Sequence, residues 1–258
     1  MNQPPVYLEP AERDPKKLRR TAFILVGLMI VGGVAILTAY NRWSAAKVQD
    51  DRPAFIARLT GERDLPVVRQ DGSRAGIYEL RGKVNIIQVV SASQPETAKP
   101  SSEVMQRLAK HYAGNPDFVL VTLVLDPGPA EEAKNAVSTA AERLGATLPQ
   151  WWVGTNLPEL LHKYVKKELQ ANEFPHLQDG VWKYDTSLVV VDKNRHIRRG
   201  VVHQHRGGPP FVATFDFDLA AKWDARGVKT GTDLTNSQQL ETLLIQTIDA
   251  LLAEPYQP

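Results

Sequence analysis

Thr21 to Tyr40 reads TAFILVGLMIVGGVAILTAY, twenty residues without a charge. At 1.5 Å per residue such a helix spans a hydrocarbon core of roughly 30 Å. Hydrocarbon offers no partner for a backbone N–H or C=O, so the segment must satisfy its own and is expected to be a transmembrane helix. Arg13, Lys16, Lys17, Arg19 and Arg20 precede it, whereas only Arg42, Lys47 and Arg52 follow closely. That asymmetry predicts a cytoplasmic tail over 1–20, a span over 21–40, and a large C-terminal part outside the cytoplasm. Tyr40 and Trp43 suit the outer aromatic belt. Ser44-Ala45-Ala46 offers a cleavage site, but the apolar core is longer than a signal peptide's 7–15 residues, so a retained anchor is expected. Residues 1–14, polar and rich in Pro and Glu, read as a disordered tail.

With 31 basic and 29 acidic residues the chain lacks the charge excess of a nucleic-acid binder, and its one basic run flanks the apolar stretch. There is no cysteine, which excludes disulfides, thiol catalysis and cysteine-ligated metal sites. No glycine-flanked nucleophile elbow surrounds Ser91, Ser93, Ser101 or Ser102, and no glycine loop is built to cradle phosphate.

Beyond the span, residues 41–64 read as a short helical stalk or linker, with Phe55, Ile56 and Leu59 able to touch the domain that follows. Gln70-Asp71-Gly72-Ser73 is a hairpin signal. Residues 83–90 and 118–125 are β-branched apolar runs, hence buried strands. Helical spacing predicts helices over 101–112, opened by Pro100, over 130–144, ended by Gly145, and over 157–169. Residues 149–153 are extended. Strands are expected at 187–191 and 197–202, with a last amphipathic helix over 238–252. The pattern predicts an α/β fold with a mixed sheet and flanking helices.

Several phrases then resemble the Sco/SenC family of thioredoxin-like copper chaperones and cytochrome oxidase assembly proteins. They are Leu80-Arg81-Gly82-Lys83-Val84, Asp126-Pro127 after the second core strand, Gln150-Trp151-Trp152-Val153-Gly154-Thr155-Asn156, and Tyr184-Asp185-Thr186-Ser187 before a β-branched run. The hairpin of 192–200 also fits. The resemblance covers roughly 65–202 and the last helix, and implies a thioredoxin-like domain over 65–258 behind a single transmembrane helix. It departs at the reactive positions. The family's two cysteines fall on Gln94, followed by Pro95, and on Ala98 or Lys99; its histidine falls on Thr186. None of these is a soft Cu(I) ligand. The resemblance therefore implies a degenerate member without cofactor: a non-catalytic accessory or assembly subunit of a respiratory, cytochrome oxidase-type complex, held in the inner or plasma membrane.

The alternative is a metallochaperone or redox protein using His203 and His205, which at i and i+2 would share one face of a strand. Asp216 and Asp218 are the nearest candidates for further ligands. The segment 203–235 is longer and more aromatic than a minimal connection. Phe211, Phe215, Phe217 and Trp223 are accordingly expected to carry a partner contact, or to bind a peptide or other ligand.

Overall fold

The computed structural model describes residues 14–48, 52–203 and 210–256. Residues 1–13 of the N-terminal tail and His205 lie outside them. The chain forms two units, divided between Asp51 and Arg52.

The first unit is one helix, α1 (Pro15–Val48). Its stretch Pro15–Arg42 is long and apolar enough to cross a membrane, with a mean hydropathy of 2.5 over the most apolar window. Asp14 caps its start, accepting from the Lys16 backbone N–H at 2.9 Å. Thr38 returns its hydroxyl to the Val34 carbonyl at 2.9 Å, so this polar group is satisfied within the helix.

The second unit is a mixed sheet between helices. Its strands are β1 (Ala54–Arg58), β2 (Pro66–Arg69), β3 (Arg74–Gly76), β4 (Val84–Val90), β5 (Phe118–Val124), β6 (Trp151–Thr155), β9 (Val189–Val191), β10 (His196–Val202) and β11 (Phe211–Ala213). β7 (His176–Gln178) and β8 (Val181–Lys183) form a separate two-stranded sheet. The main order is β1-β10-β9-β4-β5-β6-β2-β3, with β11 paired to β10. β4, β5 and β6 are mutually parallel, in register from Val84 against Phe118 onward. Helices α2 (Lys99–His111) and α3 (Ala130–Leu144) are the crossovers that parallel pairing requires. β9 and β10 form an antiparallel hairpin beside β4, followed at length by α6 (Asn236–Ala253). This is a thioredoxin-like fold.

Every residue of β4, β5 and β6 is buried. Their alternation splits the core between the two faces. Ile86, Val90, Leu120 and Val124 pack with α2, α3 and α6. Ile87, Val89, Val121 and Leu123 pack with α4 (Pro158–Lys167), through Leu161, Tyr164 and Val165. Between the strands, Thr122 Oγ1 accepts from Gln88 Nε2 at 3.0 Å and from Trp151 Nε1 at 2.9 Å. Gly145 ends α3 with φ +70°, the left-handed position that a residue without Cβ adopts at no steric cost.

Two readings are corrected here. The helical stalk over 41–64 extends only to Val48; Ala54–Arg58 is an edge strand paired with β10. Phe55 faces outward against the His196 ring, centroids 5.1 Å apart. The hydrophobic run Phe55-Ile56-Ala57 fits a strand as well as a helix turn, and the open edge of β10 selects the strand. The segment 203–235 contains β11 and a further helix, α5 (Phe217–Ala225). Phe215 and Phe217 are fully buried in the core cluster, so they are not partner contacts. The Phe215 backbone bridges to Leu188, its carbonyl accepting from the Leu188 N–H at 2.9 Å, which pins the segment to the sheet.

Candidate functional site

The loop that carries the reactive pair in the resemblance leaves the end of β4 and runs from Ser91 into α2. One carboxylate, at the neighbouring end of β5, organises it. Asp126 accepts from the backbone N–H of Ala92 at 2.5 Å and of Ser93 at 3.2 Å, and from the hydroxyls of Ser91, at 2.8 Å, and Ser93. Four donors on one carboxylate leave it little capacity for a ligand. Ser91 is buried, and its backbone N–H donates to the Tyr184 hydroxyl at 3.2 Å. Burial pushes the Tyr184 phenol up to about 12, so it remains a neutral O–H. These bonds tie the loop to the end of β5.

Gln94, which the resemblance places at the first reactive position, uses both ends of its amide. Nε2 donates to the Gly180 carbonyl at 2.8 Å, and Oε1 accepts from the Trp182 backbone N–H at 2.9 Å. Pro95 opens a short 3-10 turn over Pro95–Ala98. Of the two candidates for the second position, Ala98 is buried and Lys99 faces solvent, paired with Glu96 at 3.2 Å. Neither brings a donor atom to Gln94.

The resemblance places Thr186 at the family's histidine position. Its carbonyl accepts from the Ser101 hydroxyl at 2.9 Å, and its side chain lies near the Asp218 carboxylate. Ser101 also donates to Asp218 at 3.1 Å. Burial raises the Asp218 carboxyl above its usual range, partly offset by these two hydroxyls. An open cavity of about 240 Å³ adjoins Thr186, lined in part by Asp185, Asp216, Asp218 and Lys222. Its three aspartates already accept hydrogen bonds within the domain. Asp185 accepts from the Asn172 N–H at 2.6 Å and the Ser187 N–H at 2.9 Å. Asp216 caps α5 by accepting from the Leu219 N–H at 2.8 Å. Asp224 accepts from the backbone N–H of Asn236 at 2.7 Å and of Ser237 at 3.0 Å, tying α5 to the start of α6. Slight burial opposes its ionisation, but these donors and the Asn236 and Ser237 side chains outweigh it and lower the carboxyl to about 2.

Of the expected pair of imidazoles, only His203 lies within the described residues. β10 ends at Val202, so His203 lies beyond the strand that would have aligned it, and His205 is outside the described residues. No group of three or more His, Cys, Asp or Glu side chains that could hold a metal occurs among the described residues. Of the aromatic candidates, Phe211 and Trp223 are exposed.

Sequence reasoning missed the β7–β8 hairpin. Its two turn residues, Asp179 and Gly180, both have positive φ, +51° and +75°, as a tight type I′ turn requires. The Asp-Gly pair between Leu177 and Val181 was the available signal. The role of Gln94 left no signal, because its partners lie 86 and 88 residues away.

No family model matches the chain, and no curated protein matches it. Solved structures do match. A SCO1/SenC family lipoprotein from Bacillus anthracis aligns at 17% identity over 73% of this chain and 93% of its own, with a TM-score of 0.47. ScoI from Bradyrhizobium japonicum, solved with copper bound, aligns at 13% identity over 70% and 96%, with a TM-score of 0.43. BsSco, a member of the Sco family of cytochrome c oxidase assembly proteins, aligns at 14% identity over 69% and 96%, with a TM-score of 0.43. These neighbours are Sco proteins. At such identities the likeness is one of fold, and this chain has no cysteine.

Proposed function

We propose that this chain is a membrane-anchored, non-catalytic thioredoxin-fold protein that acts through protein contacts, as an accessory or assembly subunit of a respiratory complex of the cytochrome oxidase type. The observation that carries the non-catalytic reading is Gln94. The residue at the first reactive position spends its amide on the domain's own hairpin, and no thiolate exists to do redox work or bind Cu(I). The respiratory setting is supported by the Sco/SenC-like phrases in the sequence. The anchor is supported by α1, and the charge asymmetry around it supports a cytoplasmic N-terminus with the domain outside. Phe211 and Trp223 are the exposed aromatics proposed for the partner contact.

A full-length chain tagged after Pro258 tests each part. Protease added outside the plasma membrane should remove the tag. Affinity purification through the tag should bring down a respiratory membrane complex, and Trp223→Ala should weaken that recovery with Tm nearly unchanged. A competition assay on the purified protein should show no stoichiometric sub-micromolar Cu(I) binding. Such binding would overturn the non-catalytic reading, and recovery of the chain alone would overturn the subunit reading.

A further inference from the structure

The β7–β8 hairpin is the least supported part of the second unit. It pairs with no other strand, all three residues of β7 are exposed, and in β8 only Trp182 is half-buried. A lone two-stranded hairpin is marginal in water at best, so its position must come from contacts outside its own ladder. Two are present. The Trp182 ring lies edge-on to the His162 ring, centroids 5.5 Å apart. On the outer edge of β8, the Gly180 carbonyl and Trp182 N–H are met by the two ends of the Gln94 amide. A primary amide can present an N–H and a carbonyl oxygen side by side, as a neighbouring peptide group would. Gln94 thus takes the place of a third strand at that edge.

These contacts close into a ring. Asp126 holds the Ser91–Ser93 loop, and the Gln94 backbone N–H donates to Ser91 Oγ at 3.0 Å, which fixes where the side chain starts. His162 Nε2 lies 3.1 Å from the Leu125 carbonyl, one residue before Asp126. The path therefore runs from loop to the end of β5, to α4, to hairpin, and through Gln94 back to the loop. We propose that Gln94 is the positioning residue that joins the loop 91–100 and the hairpin 176–183 into one rigid unit. The position that holds a reactive thiol in the resemblance holds a mechanical tie here. The proposal stands independently of the respiratory reading.

Amide hydrogen exchange on the full-length protein, read residue by residue, tests it. In the wild type the Trp182 N–H should be protected. Gln94→Met keeps the length and removes both hydrogen bonds. It should speed Trp182 exchange about fivefold to tenfold, as loss of a hydrogen bond of ~1 kcal/mol implies, and leave β4 and β5 unchanged. Gln94→Glu keeps an acceptor for Trp182 and loses the donor to Gly180, so it should retain most of the protection. Unchanged Trp182 exchange in Gln94→Met would overturn the proposal. So would equal acceleration across β4 and β5, which would make Gln94 a contributor to global stability. Loss of protection in Gln94→Glu as complete as in Gln94→Met would also overturn it.

Discussion

The central strands and the β7–β8 hairpin draw on similar residues and end in opposite states. β4 reads Val-Asn-Ile-Ile-Gln-Val-Val and every residue is buried; β8 reads Val-Trp-Lys and none is fully buried. The difference lies in what covers them. β4 has strands on both edges and helices on both faces, so non-directional burial holds it, at roughly 25 cal/mol per Å² of apolar surface. In the hairpin each strand has one partner, and the pair is placed by the half-buried Trp182 packed on the core, its ring contact and two amide hydrogen bonds. A chain without thiol chemistry on this loop therefore keeps the fold, because burial of the central strands holds the sheet. It would need new polar contacts to keep the rim of the loop in order.

The sharpest way to break this comparison is Phe215→Ala. Phe215 joins the central core, so truncation should cost about 3–5 kcal/mol in denaturant unfolding. A cost below ~1 kcal/mol would mean that the segment after β11 is an appendage and that the surface reading of its aromatics was right. Asp224 should show an intermediate effect. Its folded carboxyl lies near 2, below the ordinary value of 3.8. Its contribution is therefore present above about pH 4 and lost as pH falls towards 2. The group is only partly buried, and screening by solvent limits that contribution to no more than ~1 kcal/mol. The Tm difference between wild type and Asp224→Asn should shrink over that window; a difference that is constant from pH 5 to 2 would remove Asp224 as the α5–α6 tie. The smallest effect belongs to Leu177, exposed on β7, where Leu177→Ala should change stability by less than ~0.5 kcal/mol. A loss of 2 kcal/mol there would place the hairpin with the core.

The sequence alone determined the membrane-length helix, the parallel strands and the alternation of strand and helix. Each rests on a local property: hydropathy over one span, β-branched runs that demand two covered faces, and a glycine where a helix must turn left-handed. It also settled that thiol chemistry is absent, since composition decides that outright. Tertiary structure decided the rest. Phe211, Phe215, Phe217 and Trp223 look alike along the chain, yet two are buried and two exposed, because the bridge from Phe215 to Leu188 turns one stretch inward. Ala54–Arg58 is a strand because β10 has an open edge to receive it, which no window around Phe55 reports. Gln94 has its role because a hairpin more than 80 residues away presents a carbonyl and an N–H at the spacing of one amide. Hydrogen-bond partners at that separation are set by where the fold brings the chain together, and residue type specifies only what can be donated or accepted once it arrives.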